Sequence, residues 1–241
     1  MDDYSTYLDK DKDLTLAYYK KSIIKTEQQK FLETLLPQKD ERPLNIADIC
    51  CGGGTLSYHI KNIYNKSTFH LVDYYDEAIK LAKEINPEEN FRFYQDSVYE
   101  MPFENEMFDL VFCWQTLLLI EDPVKALDEM LRVTRKNGKL YICSLFNMHF
   151  DVDIHAKLID HTRKSSENNV EVYCNTFSNL TISKWLENKV SHFEIKEFIP
   201  ENDFFYHGRG MGSNTIMTAF GKRLQVSGGY LMNWGILVIE K

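Results

Sequence analysis

Apolar runs and helix-patterned stretches alternate along the first two thirds of the chain. Short runs end at Asp48, cover Phe69 to Val72 and Phe91 to Tyr94, and recur at Phe108 to Cys113 and Lys139 to Leu145. Between them, Asp76 to Ile85 sets Ala78, Leu81, Ala82 and Ile85 on one helical face, and Asn86-Pro87 ends it. Asp122-Pro123 reads as a helix start, an Asp cap with Pro at the first helical position. Leu127, Met130 and Leu131 then supply the buried side, and Asn137-Gly138 turns the chain into the fifth strand. Strand–helix alternation of this kind predicts a parallel sheet with helices on both faces. Ahead of it, Leu14 to Leu36 is helix-patterned, with Ile24, Phe31 and Leu35 on one face. Thr26-x-x-Gln29 has the form of a capping box, and Pro37 is a stop.

The alternation ceases after Phe146. Residues 147–177 are mostly polar and offer no strong strand. Leu180 to Val190 reads as a short helix carrying Ile182, Trp185 and Leu186. Phe193 to Ile199 and Ile236 to Glu240 read as the closing strands. Asn214 to Ser227 has the pattern of a hairpin, Thr215 to Phe220 turning at Gly221 into Arg223 to Val226. The expected organisation is one α/β domain over 1–241. Within it lie a helical cover (1–40), a core (41–147), a lid and helix (148–192), and final strands with an inserted loop and hairpin (193–241).

The first crossover carries the densest chemistry. It reads Asp48-Ile49-Cys50-Cys51-Gly52-Gly53-Gly54, a strand end followed by glycines and then a helix-compatible stretch. Glycines let backbone approach a ligand closely, and a helix start turns free N–H groups toward it. Nineteen positions after Gly54, Asp73 ends the second run, where a carboxylate can accept both hydroxyls of a ribose. Asp96-Ser97 follows the third run and Cys113-Trp114 ends the fourth. The Gly-x-Gly-x-x-Gly spacing of nicotinamide dehydrogenases is absent.

From Leu44 to Phe146 this arrangement resembles the class I S-adenosylmethionine-dependent methyltransferases, whose turn reads Asp-x-Gly-Cys-Gly-x-Gly. The resemblance implies a Rossmann-like, mostly parallel seven-stranded sheet whose last strand runs antiparallel. It also implies S-adenosyl-L-methionine as cofactor, with S-adenosyl-L-homocysteine as product. Asp48, Cys50, Gly52 and Gly54 then lie under the methionine part, and Asp73 holds the ribose with Tyr74 beside it. Asp96 takes the adenine amino group, Ser97 faces the ring, and Cys113 and Trp114 line the methionine end. Cys50 stands where the family has its first glycine, and a small residue fits that turn if its φ stays negative.

Composition narrows the partners. A formal net charge of -8 argues against a broad nucleic-acid footprint, which needs phosphate-neutralising Lys and Arg. No apolar run has the length of a membrane span, and Met1 to Ser5 does not open a signal peptide. Five cysteines without a Cys-x-x-Cys pair fit free thiols in a reducing compartment, so a cytoplasmic protein, monomer or homodimer, is expected.

Methyl transfer from a sulfonium asks for alignment, exclusion of water and sometimes removal of a proton. The Asn-Pro-Pro-Tyr motif of amino-methylating enzymes for DNA bases does not follow the fourth strand. Trp114 occupies the place of the metal-binding Asp of catechol-type relatives, so no metal is expected. Trp114 and Gln115 either contact the acceptor or fill the gap between sheet and helix. His149, His155 and His207 are the candidate bases. His149 to His155 leaves the fifth strand at its carboxyl end, either as a strand with both histidines and both aspartates on one face or as a solvated lid helix. Gly208 to Ser213 looks like a phosphate loop but opens no helix, and reads better as a loop beside the acceptor. The late segment also resembles bacterial methyltransferases of sugars or glycan precursors. The expected function is methylation of a small-molecule hydroxyl. The alternatives are N-methylation of a small amine or natural product, and a cofactor-binding partner protein without catalysis.

Overall fold

The computed structural model describes residues 23–37, 42–160, 170–200, 214–227, 230–231 and 234–241. The chain enters through α1 (Glu27–Leu35) and builds the alternation β1 (Asn45–Ile49), α2 (Thr55–Ile60), β2 (Thr68–Asp73), α3 (Asp76–Ile85) and β3 (Phe91–Gln95). Then come β4 (Phe108–Trp114), a 3₁₀ turn (Leu117–Leu119), α4 (Pro123–Val133) and β5 (Thr134–Asn147). The later part holds β6 (Ile154–Asp160), β7 (Val170–Ser178), α5 (Asn179–Leu186), β8 (His192–Glu197), β9 (Asn214–Met217), β10 (Arg223–Ser227), β11 (Tyr230–Leu231) and β12 (Trp234–Glu240).

The main path of the sheet runs β3-β2-β1-β4-β5-β12-β8. β1 pairs in parallel with β2 and β4, and β4 with β5. β12 alone is antiparallel to its two neighbours, as the family resemblance implied. Strand alternation splits the apolar side chains between two cores. Ala47, Val111, Leu140 and Ile142 meet α4 and α5 on one face. Ile46, Phe112, Tyr141 and Ile236 meet α1, α2 and α3 on the other. The expected seven-stranded, mostly parallel sheet covered on both faces is therefore present.

Local signals act as their chemistry dictates. Thr26 and Gln29 form the reciprocal capping box, and Asp122 Oδ1 accepts from Lys125 N at 3.0 Å with Pro123 at the first position of α4. Because the box starts α1 at Glu27, Ile24 lies outside the helix and is exposed, and Leu32 is the residue it buries completely. That corrects the expected shared face of Ile24, Phe31 and Leu35. Residues 1–22, with the rest of the expected cover, lie outside the described residues.

The largest departure falls after β5. In place of strandless sequence or a lid helix, β6 and β7 form an antiparallel hairpin, and β7 joins the end of β5 in parallel at Phe146 and Asn147. β7 reads Val-Glu-Val-Tyr-Cys-Asn-Thr-Phe-Ser, a period-two pattern rich in β-branched and aromatic residues. The expected late hairpin is present as β9 and β10, joined by a turn at Gly221 with φ +75°. β11 extends it.

Candidate functional site

The carboxyl ends of β1, β2 and β4 meet at the glycine turn. β1 stops at Ile49, whose register partner is Cys113, so Cys50 leaves the sheet beside the end of β4. The chain then turns through three left-handed residues, Cys50 (φ +56°), Gly52 (φ +53°) and Gly54 (φ +69°). The expectation of a negative φ at Cys50 is corrected: an L-residue holds the conformation that glycine adopts without cost. At Gly54 an added Cβ would come within 2.7 Å of Leu71 Cδ2 and 2.8 Å of Asn86 Nδ2, so α2 can pack this closely only with glycine there.

Two buried carboxylates flank the turn. Asp73, 7% exposed at the tip of β2, accepts from Gly52 N at 2.8 Å on Oδ2 and from Tyr75 N at 3.0 Å on Oδ1. Each oxygen keeps a lone pair for a further donor. Burial raises its carboxyl above the usual range, against the lowering by these backbone donors. Asp48, 1% exposed, accepts from Ser57 Oγ at 2.7 Å on Oδ2, and its Oδ1 is buried without a partner. Burial, with a smaller contribution from Asp73, pushes its carboxyl up to about 7. Among the described residues no Lys or Arg pairs with either acid.

A cationic ligand carrying a ribose fits this arrangement. It would neutralise charge that no Lys or Arg among the described residues compensates, and bring hydroxyls to Asp73. The other candidates lie around the same edge. Asp96 N donates to Asp73 O at 3.0 Å, and Asp96 Oδ1 accepts from Ser97 N at 2.8 Å, so this acid also caps its own turn. Ser97 Oγ accepts from Tyr99 N at 3.2 Å. Tyr74 is 52% exposed next to Asp73. Cys113 is buried, and its hydrogen bond with Cys50, together with burial, holds the Cys50 thiol well above the usual thiol range. Trp114 ends β4 half-buried.

The histidines separate. His149 Nε2 faces Glu197 Oε1 at 3.3 Å, linking the segment after β5 to the end of β8. His155 starts the hairpin, with Nδ1 3.2 Å from Asn175 Oδ1, and Asn175 in turn donates to Ile120 O. Asp153 accepts from Ser178 N and Thr181 Oγ1 at the start of α5, and against the raising by burial these bonds, with a smaller contribution from nearby His155, hold its carboxyl below the usual range. His207 and the loop 208–213 lie outside the described residues. Among the described residues no group of three His, Cys, Asp or Glu is arranged to hold a metal ion.

Ser57 and Glu197 escaped the sequence reading, since nothing local ties either to its partner. A further pair was missed as a pair: Gln115 Nε2 donates to Gln28 Oε1 on α1.

A family model described as a methyltransferase domain matches residues 40–197. The chain belongs to that family. Its fold is that of the class I S-adenosylmethionine-dependent methyltransferases. It is 33% identical over 107 residues to an uncharacterized methyltransferase of Schizosaccharomyces pombe, covering 41% of this chain and 38% of that protein. It is 30% identical over 100 residues to a demethylmenaquinone methyltransferase of Chlamydia caviae, covering 42% and 44%. The chain thus spans less than half the length of these curated relatives. Among solved structures, the YcgJ protein of Bacillus subtilis superposes with a TM-score of 0.58 at 14% identity, covering 91% of this chain and 98% of that one. A methyltransferase of Aquifex aeolicus gives 0.54 at 14% identity, covering 93% and 98%.

Proposed function

We propose that this chain transfers a methyl group from S-adenosyl-L-methionine to a hydroxyl of a small-molecule acceptor. The observation that carries this is the pair of buried carboxylates Asp48 and Asp73 around a glycine turn, without a Lys or Arg partner among the described residues, in a chain of the methyltransferase domain family. The bound cofactor supplies a methyl activated by positive sulfur. The protein's part is to bind, orient and take a proton. Asp73 receives the ribose hydroxyls on its remaining lone pairs. Asp96 and Ser97 receive the adenine. Gly52 and Gly54 keep the turn clear of side chain, and Asp48 offers negative charge to the cationic end. Cys113 and Trp114 wall the methionine side. His149, oriented by Glu197, is the proposed base. With Nε2 donating to the carboxylate, its Nδ1 carries the lone pair. The acceptor then lies across the end of β5, between His149 and the glycine turn.

Leu118 and Leu145 form a small buried cluster beside the end of β5, with Leu119, Ile154, Cys174 and Trp234 packed on it. The sugar or glycan acceptor expected from the late segment remains a narrower form of the proposal. Its glycine loop lies outside the described residues. Five free cysteines support a reducing, cytoplasmic setting, and no helix among the described residues is long and apolar enough to cross a membrane.

Incubation with methyl-labelled cofactor and a metabolite extract tests the function, alongside calorimetry with S-adenosylhomocysteine. Label in a small, base-stable ether supports it. Binding without transfer favours a non-catalytic partner, label on nitrogen favours the amine alternative, and absence of binding removes the cofactor assignment.

A further inference from the structure

Among the described residues five non-glycines have left-handed backbones: Cys50, Glu106, Gln115, Asn137 and Asn188. Asparagine tolerates that region, and Glu106 sits in an exposed turn remote from the glycine turn. Cys50 and Gln115 remain, and they follow the carboxyl ends of adjacent strands, β1 and β4. A long side chain held at φ +55° costs stability, and such strain persists where surrounding structure fixes it for use.

Two contacts fix Gln115. Its backbone N–H donates to Cys143 O at 2.9 Å, which anchors it to β5. Its side-chain Nε2 donates to Gln28 Oε1, and both residues are half-exposed. Docking of α1 does not depend on that bond. Leu32 is fully buried, Phe31 packs on Phe198 with ring centroids 5.8 Å apart, and Tyr141 Oη donates to Leu35 O. The amide pair therefore adds little to holding the helix. It leaves an acceptor, Gln115 Oε1, beside a donor, Gln28 Nε2, and neither has a further partner among the described residues.

We propose that Gln28 and Gln115 form a specificity pair that holds the non-reacting end of the acceptor, and that this end is a neutral group which both donates and accepts, a carboxamide or a hydroxyl. The proposal rests on methyl transfer as proposed above and adds the acceptor's chemistry to it. A carboxylate would leave the Gln115 oxygen facing another acceptor, and an ammonium would leave the Gln28 N–H groups facing another donor. Unpaired polar groups of that kind are what allow a hydrogen-bonding site to reject a near-isostere.

The test uses phenols that share ring and reacting hydroxyl and differ at the para position: 4-hydroxybenzamide, 4-hydroxybenzyl alcohol, 4-hydroxybenzoate and tyramine. Transfer from labelled cofactor to each is measured, with S-adenosylhomocysteine affinity measured separately. The parent protein should prefer the two neutral phenols by about tenfold or more in kcat/KM. Gln115→Ala and Gln28→Ala should each lower kcat/KM for the neutral phenols to the level of the charged ones. The charged phenols should be unaffected, and S-adenosylhomocysteine affinity should stay within about twofold of the parent. A bond that merely fastens α1 would lower all four rates together or the melting temperature alone, and that result overturns the proposal. So does an unchanged ranking in both variants, or a parent that binds S-adenosylhomocysteine yet methylates neither neutral phenol. Failure to bind S-adenosylhomocysteine would remove the function itself, and is read separately by calorimetry.

Discussion

Gly52 N donates to Asp73 Oδ2 at 2.8 Å, so the turn after β1 and the tip of β2 form one unit. A ribose held at Asp73, as proposed, would thereby sit against the backbone of the glycine turn. Asp73→Ala removes both the turn contact and the charged acceptor. S-adenosylhomocysteine should bind about ten- to a hundredfold more weakly, in line with roughly 1.5–3 kcal/mol for hydrogen bonds to a charged group. Titration calorimetry checks this, and unchanged affinity would sink the role given to Asp73.

Asp48 makes stability depend on pH. Its carboxyl lies at about 7 in the folded chain, above the ordinary value of 3.8, because it is buried. The folded state therefore binds more protons than the unfolded state between these values. Stability linked to Asp48 is full below about 4 and is lost as pH rises through about 7. In the cofactor-free protein, Asp48→Asn should flatten this fall and melt higher than the parent at pH 8. A cation bound nearby favours the ionised carboxylate, so binding of S-adenosylmethionine near pH 7 should release protons. Calorimetry in buffers of different ionisation enthalpy measures that release. Proton uptake, or a zero value, would contradict the charge-matching argument.

The glycine turn distinguishes strain from packing. Cys50 and Gly54 are both left-handed, at +56° and +69°, but an added Cβ at Gly54 would also strike Leu71 and Asn86. Stability should therefore rank Cys50→Gly at or above the parent, with Cys50→Val below it, because a β-branched residue tolerates this φ poorly. Gly54→Ala should cost about 2 kcal/mol or more, since it combines strain with overpacking. Thermal melts of the three variants give the order, and a Gly54→Ala protein as stable as the parent would refute the close-approach account.

These residues also mark what could be read before the structure. The strand ends were legible to within one residue, Asp48 for Ile49, Asp73 itself and Cys113 for Trp114, because buried parallel strands are continuous apolar runs and their turns need small or polar residues. The φ of Cys50 was not, because its sign follows from how Gly52 and Asp73 close the turn and not from the thiol. β7 was legible in principle. Its alternation through Val170, Val172, Cys174 and Thr176 has the period of a strand, but the polar residues between them masked it. The Gln28–Gln115 and His149–Glu197 contacts join residues 87 and 48 positions apart, and no local pattern encodes such pairs.

Proton removal gives the last prediction. Methylation of a neutral hydroxyl places a proton on oxygen that must leave near the moment of transfer, and a positioned base commonly contributes about a hundredfold or more. His149 follows β5 at the edge where ligands of open α/β sheets bind, and Glu197 fixes its ring through Nε2. His155 is committed to Asn175 through Nδ1 and is exposed at the start of the hairpin. His149→Gln should therefore lower kcat by about a hundredfold and leave S-adenosylhomocysteine affinity unchanged, because the contact matters only in the transition state. Glu197→Gln should give a smaller loss in kcat, since it orients the ring and takes no proton itself. His155→Ala should turn over near the parent rate. Single-turnover rates with labelled cofactor, measured with the affinity of each variant, separate these outcomes. If His149→Gln turns over at the parent rate while His155→Ala does not, the base lies on the hairpin. If neither changes, the proton leaves without the help of either histidine.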